Sequence, residues 1–208
     1  MELPYSYSAA HDRQYGNAIF TSRPHSNPRD VELTQGAGPE RRSAIAVDFM
    51  GSTFASAHLL HTDDANDSRQ VQAQELAEWL SGEHPTVVAA AFGRPPESPP
   101  HQAMVDFGFF DVQAQWEVDK PTYLGPGLEG EFAEIRDFVF VRNAEATDFQ
   151  LLPVPWSDHF PLVARFATGA QAPTQADQDR NEVQPVPATS MVPSVGASPA
   201  AEPDGSGG

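Results

Sequence analysis

The chain has 208 residues, of which 39% are hydrophobic, enough for one domain with a substantial core but too few for two large domains. It contains no cysteine, which excludes disulfides and thiolate metal sites. No apolar run approaches the ~20 residues of a membrane-spanning helix, and the first residues lack the pattern of a signal peptide. We therefore expect no membrane segment and, by default, a cytoplasmic location.

The charge of the chain is strongly acidic. Asp and Glu number 29 against 12 Lys and Arg, the formal net charge is −17, and Lys120 is the one lysine. Because nucleic-acid binding draws much of its affinity from Lys and Arg on phosphates, nucleic acid is a doubtful partner. Two explanations stay open: a bias of genomic composition, or adaptation to high salt, where repulsion is screened to a range of ~3 Å at 1 M.

In chain order, hydrophobic periodicity predicts several strands and one amphipathic helix. Residues 1–14 are polar and aperiodic, which predicts an irregular segment before a domain at 15–167. A helix is predicted at 68–80, with one apolar face formed by Ala73, Leu76, Ala77 and Leu80. The predicted strands are 44–50, 54–59, 86–91, 138–141 and 162–166. This pattern indicates an α/β fold with mixed sheets and helices outside them.

The C-terminal segment 168–208 has a different composition. It is rich in Pro, Ala and Gly, carries an excess of acidic residues, and has no aromatic residue or hydrophobic periodicity. Such a segment cannot offset its ordering entropy by burial, so it is predicted to be a disordered tail. A Gly-rich stretch at 125–130 lacks the strand-to-helix context of a phosphate loop and is interpreted as a turn.

Six short motifs occur along residues 15–167. They are Tyr15 to Arg23 (YGNAIFTSR), Glu40-Arg41-Arg42, Ser56-Ala57-His58-Leu59, the set Arg69, Gln72, Ala73 and Leu76, Arg136-Asp137-Phe138-Val139-Phe140, and Ser157-Asp158-His159-Phe160-Pro161. In this order they resemble the C-terminal two-thirds of the endonuclease/exonuclease/phosphatase family. The resemblance implies the DNase-like fold, in which two mixed β-sheets pack as a sandwich flanked by helices, here incomplete at the N-terminus.

The same resemblance assigns roles to four polar residues. It implies that Asp158 lies on the side of a divalent metal, Mg²⁺ or Mn²⁺, and that His159 contacts the phosphate or acts as an acid or base. Asp137 would orient His159, and His58 would contact the phosphate from the opposite side. The substrate implied is a phosphodiester or phosphomonoester, hydrolysed with the help of the metal and of donors for the developing charge.

Two family motifs are replaced or absent. Where the family has Gly-Asp-Phe-Asn, this chain has Ala90-Ala91-Phe92-Gly93, so the water-orienting Asp and its Asn partner become Ala91 and Gly93. The Gln-Glu motif that supplies a metal-binding Glu has no counterpart in 1–14. We therefore expect a pseudoenzyme whose hydrolase activity is weak or lost. The alternative is a non-catalytic binding protein or a truncated gene product that retains the fold.

Some expectations concern surfaces around this site. His61 and the following Thr62-Asp63-Asp64 could bind a cation, although acidic residues before a helix are more often caps. With the first family strands absent, Thr86–Ala91 is expected to lie beside a vacant position. Such an exposed edge would favour self-association or a separate partner. Alternatively, Glu2 to Ala10 folds back and fills the gap.

Overall fold

The computed structural model describes residues 2–9, 16–36, 39–61, 66–82, 84–125, 133–154 and 156–167. The predictions for Asp63 and Asp64, for most of the 125–130 turn and for the 168–208 tail lie outside the described residues. No helix in the described part of the chain is long and apolar enough to cross a membrane.

The described residues form strands and helices that alternate along the chain. In order these are β1 (Tyr5–Ala9), β2 (Asn17–Thr21), β3 (Ser26–Glu32), β4 (Ser43–Phe49), β5 (Ser52–His58), α1 (Asn66–Trp79), β6 (Thr86–Ala91), α2 (Pro99–Asp106), β7 (Phe110–Asp111), α3 (Val112–Gln115), β8 (Asp137–Arg142), β9 (Glu145–Leu151) and β10 (Leu162–Ala167).

A six-stranded mixed sheet organises the fold, with strand order β3-β4-β5-β6-β8-β7. Strands β5 and β6 are parallel and are joined through α1, whereas the other neighbours in this sheet are antiparallel. One face of the sheet packs against α1 and α2, and this packing buries a core of small and aromatic side chains. That core includes Ala44, Ala57, Leu76, Ala77, Val88, Ala90, Phe92, Met104, Phe138 and Phe140.

The opposite face of the sheet is covered by two separate antiparallel pairs. The pair β1-β2 packs over β4 and β5, and the pair β9-β10 packs over β8. A second apolar cluster joins Val87, Val139 and Val141 of the sheet to Phe149 of β9. Between the two pairs, Ala89 of the central strand β6 is exposed, although its neighbour Ala90 is buried on the helix side.

The predicted strands and helix are confirmed, with β6 at the predicted bounds and the others shifted by one or two residues. Two expectations are wrong. Residues 1–14 were expected to be irregular, but Tyr5–Ala9 forms β1, with Tyr5 and Tyr7 half-buried and Ser6 and Ser8 exposed. Thr86–Ala91 is not an edge strand, because β5 and β8 pair with it along its whole length. The edges of its sheet are β3 and β7.

Candidate functional site

Three predicted site positions lie side by side at one end of the six-stranded sheet. His58 ends β5, Ala91 ends β6 and Asp137 begins β8, and the strand register pairs His58 with Ala91 and Ala91 with Asp137. Directly paired residues on neighbouring strands project to the same face of a sheet, about 4.8 Å apart across each pair of strands. His58 and Asp137 therefore flank the methyl group of Ala91.

The end of β5 is held in place by two buried polar residues of α1. Gln72 accepts a hydrogen bond from the Leu60 amide (2.8 Å) and donates one to the Thr34 carbonyl (2.7 Å). Arg69 donates to the Leu60 carbonyl at 3.1 Å, and both Arg69 and Gln72 are 0% exposed. The Arg-x-x-Gln part of the helix motif thus fixes the chain directly after His58.

His159 joins this row through Asp137. Its Nδ1 atom lies 2.7 Å from Asp137 Oδ2, and because the carboxylate accepts, the His159 ring donates from Nδ1 and leaves Nε2 facing away. The loop that carries His159 is fastened by backbone bonds from Phe160 N to Thr122 O (2.7 Å) and from Leu124 N to Asp158 O (2.9 Å). The structure therefore brings His58, Asp137 and His159 together around Ala91.

Sequence reasoning missed the segment Thr122–Leu124, which contacts both Asp137 and the His159 loop. The Thr122 hydroxyl lies 2.8 Å from Asp137 Oδ2. The Tyr123 ring contacts the His159 ring, with 4.7 Å between centroids, and the Arg136 guanidinium, 4.2 Å from the ring centre. This segment is irregular and has no periodicity, so no sequence signal marked it.

The two imidazoles have opposite tendencies to bind a proton. The hydrogen bond to Asp137 raises the pKa of His159, supported by the charges of Asp137 and Asp158 and opposed by partial burial and Arg136. Desolvation lowers the pKa of His58 to about 4, with further lowering from the charges of Arg42, His61 and His159 and an opposing effect from Asp137. The His58 side chain is exposed at the end of β5, and the water that reaches it hydrates the charged form and limits this lowering of the pKa.

A buried ion pair flanks His58. Arg42 is 3% exposed, forms a salt bridge with Glu40 and donates to His61 Nδ1 at 2.8 Å. Because the guanidinium can only donate, His61 Nδ1 is the acceptor and the ring proton of His61 lies on Nε2. This cluster places a fixed positive charge beside His58, which favours the neutral form of that ring.

Around Asp158, the predicted metal position, the described part of the chain offers few side chains suited to a cation. Asp158 Oδ1 accepts a hydrogen bond from the Ser157 hydroxyl at 3.2 Å. Among the residues that the structure describes, no group of three or more His, Asp or Glu side chains is placed to hold a metal ion. Asp137 and Glu40 are each paired with a neighbouring basic side chain. The described residues therefore do not fit a tightly held divalent cation.

Ala91 lies within the row of His58 and Asp137, and Gly93 follows it two residues later. Ala91 is half-buried in the row between His58 and Asp137, and it offers only a methyl group there. Gly93 has a φ of +63°, and a Cβ added to it would lie 3.8 Å from the His61 Cα atom and from the Leu60 carbonyl oxygen. Between them, Phe92 is fully buried in the core and anchors the segment.

Known structures share this fold at low sequence identity. The human Nocturnin catalytic domain with bound sulfate is 17% identical, with a TM-score of 0.61, over 78% of this chain and 72% of that chain. An endonuclease/exonuclease/phosphatase from Bacteroides vulgatus is also 17% identical, with a TM-score of 0.64, over 79% of this chain and 77% of that one. Danio rerio TDP2 complexed with a single-strand DNA product is 12% identical, with a TM-score of 0.60, over 78% and 76%.

These similarities confirm the fold that the motifs indicated. The chain has the DNase-like α/β fold of endonuclease/exonuclease/phosphatase proteins. No protein-family model and no curated protein matches the sequence. At identities below one in five residues the likeness concerns the fold, and the chemistry depends on the residues of the site itself.

Proposed function

We propose that this protein binds the phosphate group of a phosphoester at the row formed by His58, Ala91, Asp137 and His159, and that its hydrolase activity is weak or lost. The observation that carries the proposal is the register of this row. The register sets His58 and Asp137 on either side of the Ala91 methyl group, and His159 joins them through its hydrogen bond to Asp137. Losing one positioned acid or base typically costs a factor of ~10²–10⁴ in rate.

The protonation of the two imidazoles suits an anionic ligand. His159 donates from Nδ1 to Asp137, so in its protonated form its Nε2–H is the donor left for a phosphate oxygen. His58 stays neutral near pH 7 and offers a donor or an acceptor from the other side of Ala91. When His159 is protonated, its charged Nε2–H and a neutral N–H of His58 can both donate to phosphate oxygens.

The ligands of proteins with the same fold support this ligand class. The human Nocturnin domain was solved with bound sulfate, an anion of phosphate-like shape, and D. rerio TDP2 with a single-strand DNA product. For the present chain we favour a small phosphoester over nucleic acid. Its net charge of −17 repels a polyanion, and binding to nucleic acid generally depends on many Lys and Arg contacts.

A divalent cation at Asp158 has less support from the structure than phosphate binding has. Mg²⁺ or Mn²⁺ at Asp158 is proposed only as a weakly held ion, because the described residues supply too few ligands around that carboxylate for tight binding. The measurement that checks it is Mn²⁺ titration followed by NMR. Paramagnetic broadening confined to His159 and Asp158, and absent in Asp158→Asn, would support a metal at this position, and uniform weak broadening would argue against it.

The binding proposal is tested by titrating inorganic phosphate into three proteins by calorimetry. His159→Ala removes the charged donor and should weaken binding by about tenfold to a hundredfold, the usual worth of a hydrogen bond to a charged group. His84→Ala is the matched control, because His84 is exposed and precedes the opposite end of β6. Equal phosphate affinity in the native protein and His159→Ala would contradict the proposal.

A second candidate is slow metal-dependent hydrolysis of phosphodiesters or phosphomonoesters. The observation that favours it is the intact pair of Asp137 and His159, which keeps the tautomer and orientation of a general acid. Loss of the carboxylate at position 91 and the sparse surroundings of Asp158 weigh against an appreciable rate. We therefore rank binding first and weak hydrolysis second.

A further inference from the structure

The Thr122 hydroxyl has all of its hydrogen-bonding capacity engaged. It is 0% exposed, and its oxygen accepts from the backbone amides of Arg136 (2.9 Å) and Asp137 (3.0 Å). A hydroxyl oxygen has two lone pairs, and both are occupied by amides that can only donate. The hydroxyl hydrogen therefore points to the third neighbour, Asp137 Oδ2 at 2.8 Å.

That acceptor oxygen is also the one that binds the histidine. Asp137 Oδ2 receives the Thr122 hydroxyl on one side and His159 Nδ1, at 2.7 Å, on the other. Rotation of the carboxylate about its side-chain bonds would break both contacts at once. Two donors on one carboxylate oxygen, one of them from the fully buried Thr122, restrict Asp137 to a single arrangement.

The Thr122 backbone fixes the histidine loop as well. Its carbonyl accepts from the Phe160 amide at 2.7 Å, and the next residue, Tyr123, forms a backbone bridge with His159 and packs on its ring. One residue thus holds both partners of the His159–Asp137 pair: the carboxylate by its side chain and the histidine loop by its main chain.

We infer that Thr122 is a positioning residue, which fixes Asp137 and through it the His159 ring so that His159 Nε2 faces a bound phosphate group. This inference rests on the proposed function, because the ligand of His159 is taken from it. Thr122 does not touch the phosphate, and its effect is exerted through Asp137.

The test uses Thr122→Val, which keeps the shape and removes the hydroxyl, and Thr122→Ser, which keeps the hydroxyl. Thr86→Val is the matched control, since Thr86 is a 2% exposed threonine of β6 whose hydroxyl bonds the His84 carbonyl, away from the site. Two quantities are measured in each folded variant: the NMR signal of the His159 Nδ1–H proton, which reports the hydrogen bond to Asp137, and the dissociation constant for inorganic phosphate.

In Thr122→Val the NMR signal of the His159 Nδ1–H proton should broaden or shift, because Asp137 is no longer held in place to accept it, and the phosphate affinity should drop about tenfold. Thr122→Ser should restore both, and Thr86→Val should change neither. A folded Thr122→Val with the native Nδ1–H signal and native affinity would overturn the inference. If the native protein and Thr122→Ser both fail to bind phosphate, the proposed function fails, and the His159 Nδ1–H signal still decides the role of Thr122.

A measurement on the unmodified chain covers the case in which Thr122→Val does not fold. The acceptor of the Asp137 amide is the Thr122 hydroxyl oxygen, so this amide should exchange its hydrogen slowly in the native protein. Exchange of the Asp137 amide at the rate of a solvent-exposed amide would contradict the anchoring by Thr122.

Discussion

His159 Nδ1 lies 2.7 Å from Asp137 Oδ2, and this contact raises the pKa of the histidine. Asp137→Asn removes the charge and most of the stabilisation of the imidazolium, so the pKa of His159 should fall in that variant. A raised pKa in the folded state stabilises the protein below the unfolded pKa of ~6.5, and this contribution is lost as pH rises through the folded pKa. The stability lost in Asp137→Asn should therefore be larger below pH ~6 than above pH ~8.

Thermal unfolding of the native protein and Asp137→Asn at several pH values checks this dependence, together with NMR titration of the His159 ring. Because His159 is partly exposed, we expect a modest effect on stability. A loss of stability that is equal at all pH values would show that Asp137 acts without involving the charge of His159.

Gln72 should contribute strongly to stability because it is fully buried and bonded at both ends. Gln72→Ala leaves the Leu60 amide and the Thr34 carbonyl without their partner, and each unsatisfied buried group costs about 1–3 kcal/mol. We expect the free energy of unfolding to fall by about 2 kcal/mol or more. Gln74→Ala, an exposed position of the same helix, is the control and should change it by less than about 0.5 kcal/mol. Urea unfolding measures both, and equal effects would refute the role of Gln72.

Ala89 and Ala90 are neighbours in β6 with opposite surroundings. Ala90→Asp buries an unpaired carboxylate against α1 and α2 and should destabilise the protein by about 4 kcal/mol or more. Ala89→Asp points to the exposed strip between the two strand pairs and should change stability by about 1 kcal/mol or less. Thermal unfolding distinguishes the two variants.

Ala89→Asp also tests self-association through the exposed strip at Ala89, a surface different from the strand edge expected from the sequence. If a second copy or another polypeptide covers the strip at Ala89, then Ala89→Asp should reduce the sedimentation coefficient or destabilise the assembly. An unchanged monomer in both the native protein and Ala89→Asp would argue against association through this face.

Ala91→Asp combined with Gly93→Asn places the two polar side chains of the Gly-Asp-Phe-Asn motif at the end of β6 and two residues beyond it. Asn tolerates the positive φ at position 93, and the nearest atoms to a Cβ at that position lie 3.8 Å away or farther, which leaves room for it. We expect the gain in phosphodiester hydrolysis to stay below the ~10²–10⁴ that a positioned base normally gives, because the described residues still lack a metal cluster. Ala91→Asn with Gly93→Asn is the uncharged control. A gain of about 10²-fold or more in phosphodiester hydrolysis, specific to Asp at position 91, would show that this carboxylate was the main missing part.

Local patterns were sufficient to predict much of the scaffold. The apolar face of α1 is buried as its pattern requires, and so is the continuous apolar run of β6 except at Ala89, which is exposed, and at Ala91, which is half-buried. The signal for β1 was present and overlooked, since Tyr and Ser alternate from Tyr5 to Ser8 as in a half-exposed strand. Strand β3 has no such signal, because Pro28 and charged residues interrupt its pattern.

The site was predictable only in part. Its residues on strand ends and in the Ser-Asp-His loop were found through motifs, and the strand register then brings His58, Ala91 and Asp137 together. Thr122 and Tyr123 could not be found this way. They lie in an irregular segment and reach the site through contacts with residues distant in the chain, 15 positions away for Thr122 and Asp137, and such contacts leave no periodic pattern in the sequence.

The most direct test of the account is turnover of p-nitrophenyl phosphate and bis(p-nitrophenyl) phosphate by the unmodified chain in the presence of Mg²⁺ or Mn²⁺. It is measured beside His159→Ala and the His84→Ala control, on samples whose phosphate binding is also known. The account predicts phosphate binding that depends on His159, together with turnover in the native protein that is close to that of His159→Ala. Robust turnover that His159→Ala abolishes and His84→Ala preserves would contradict it.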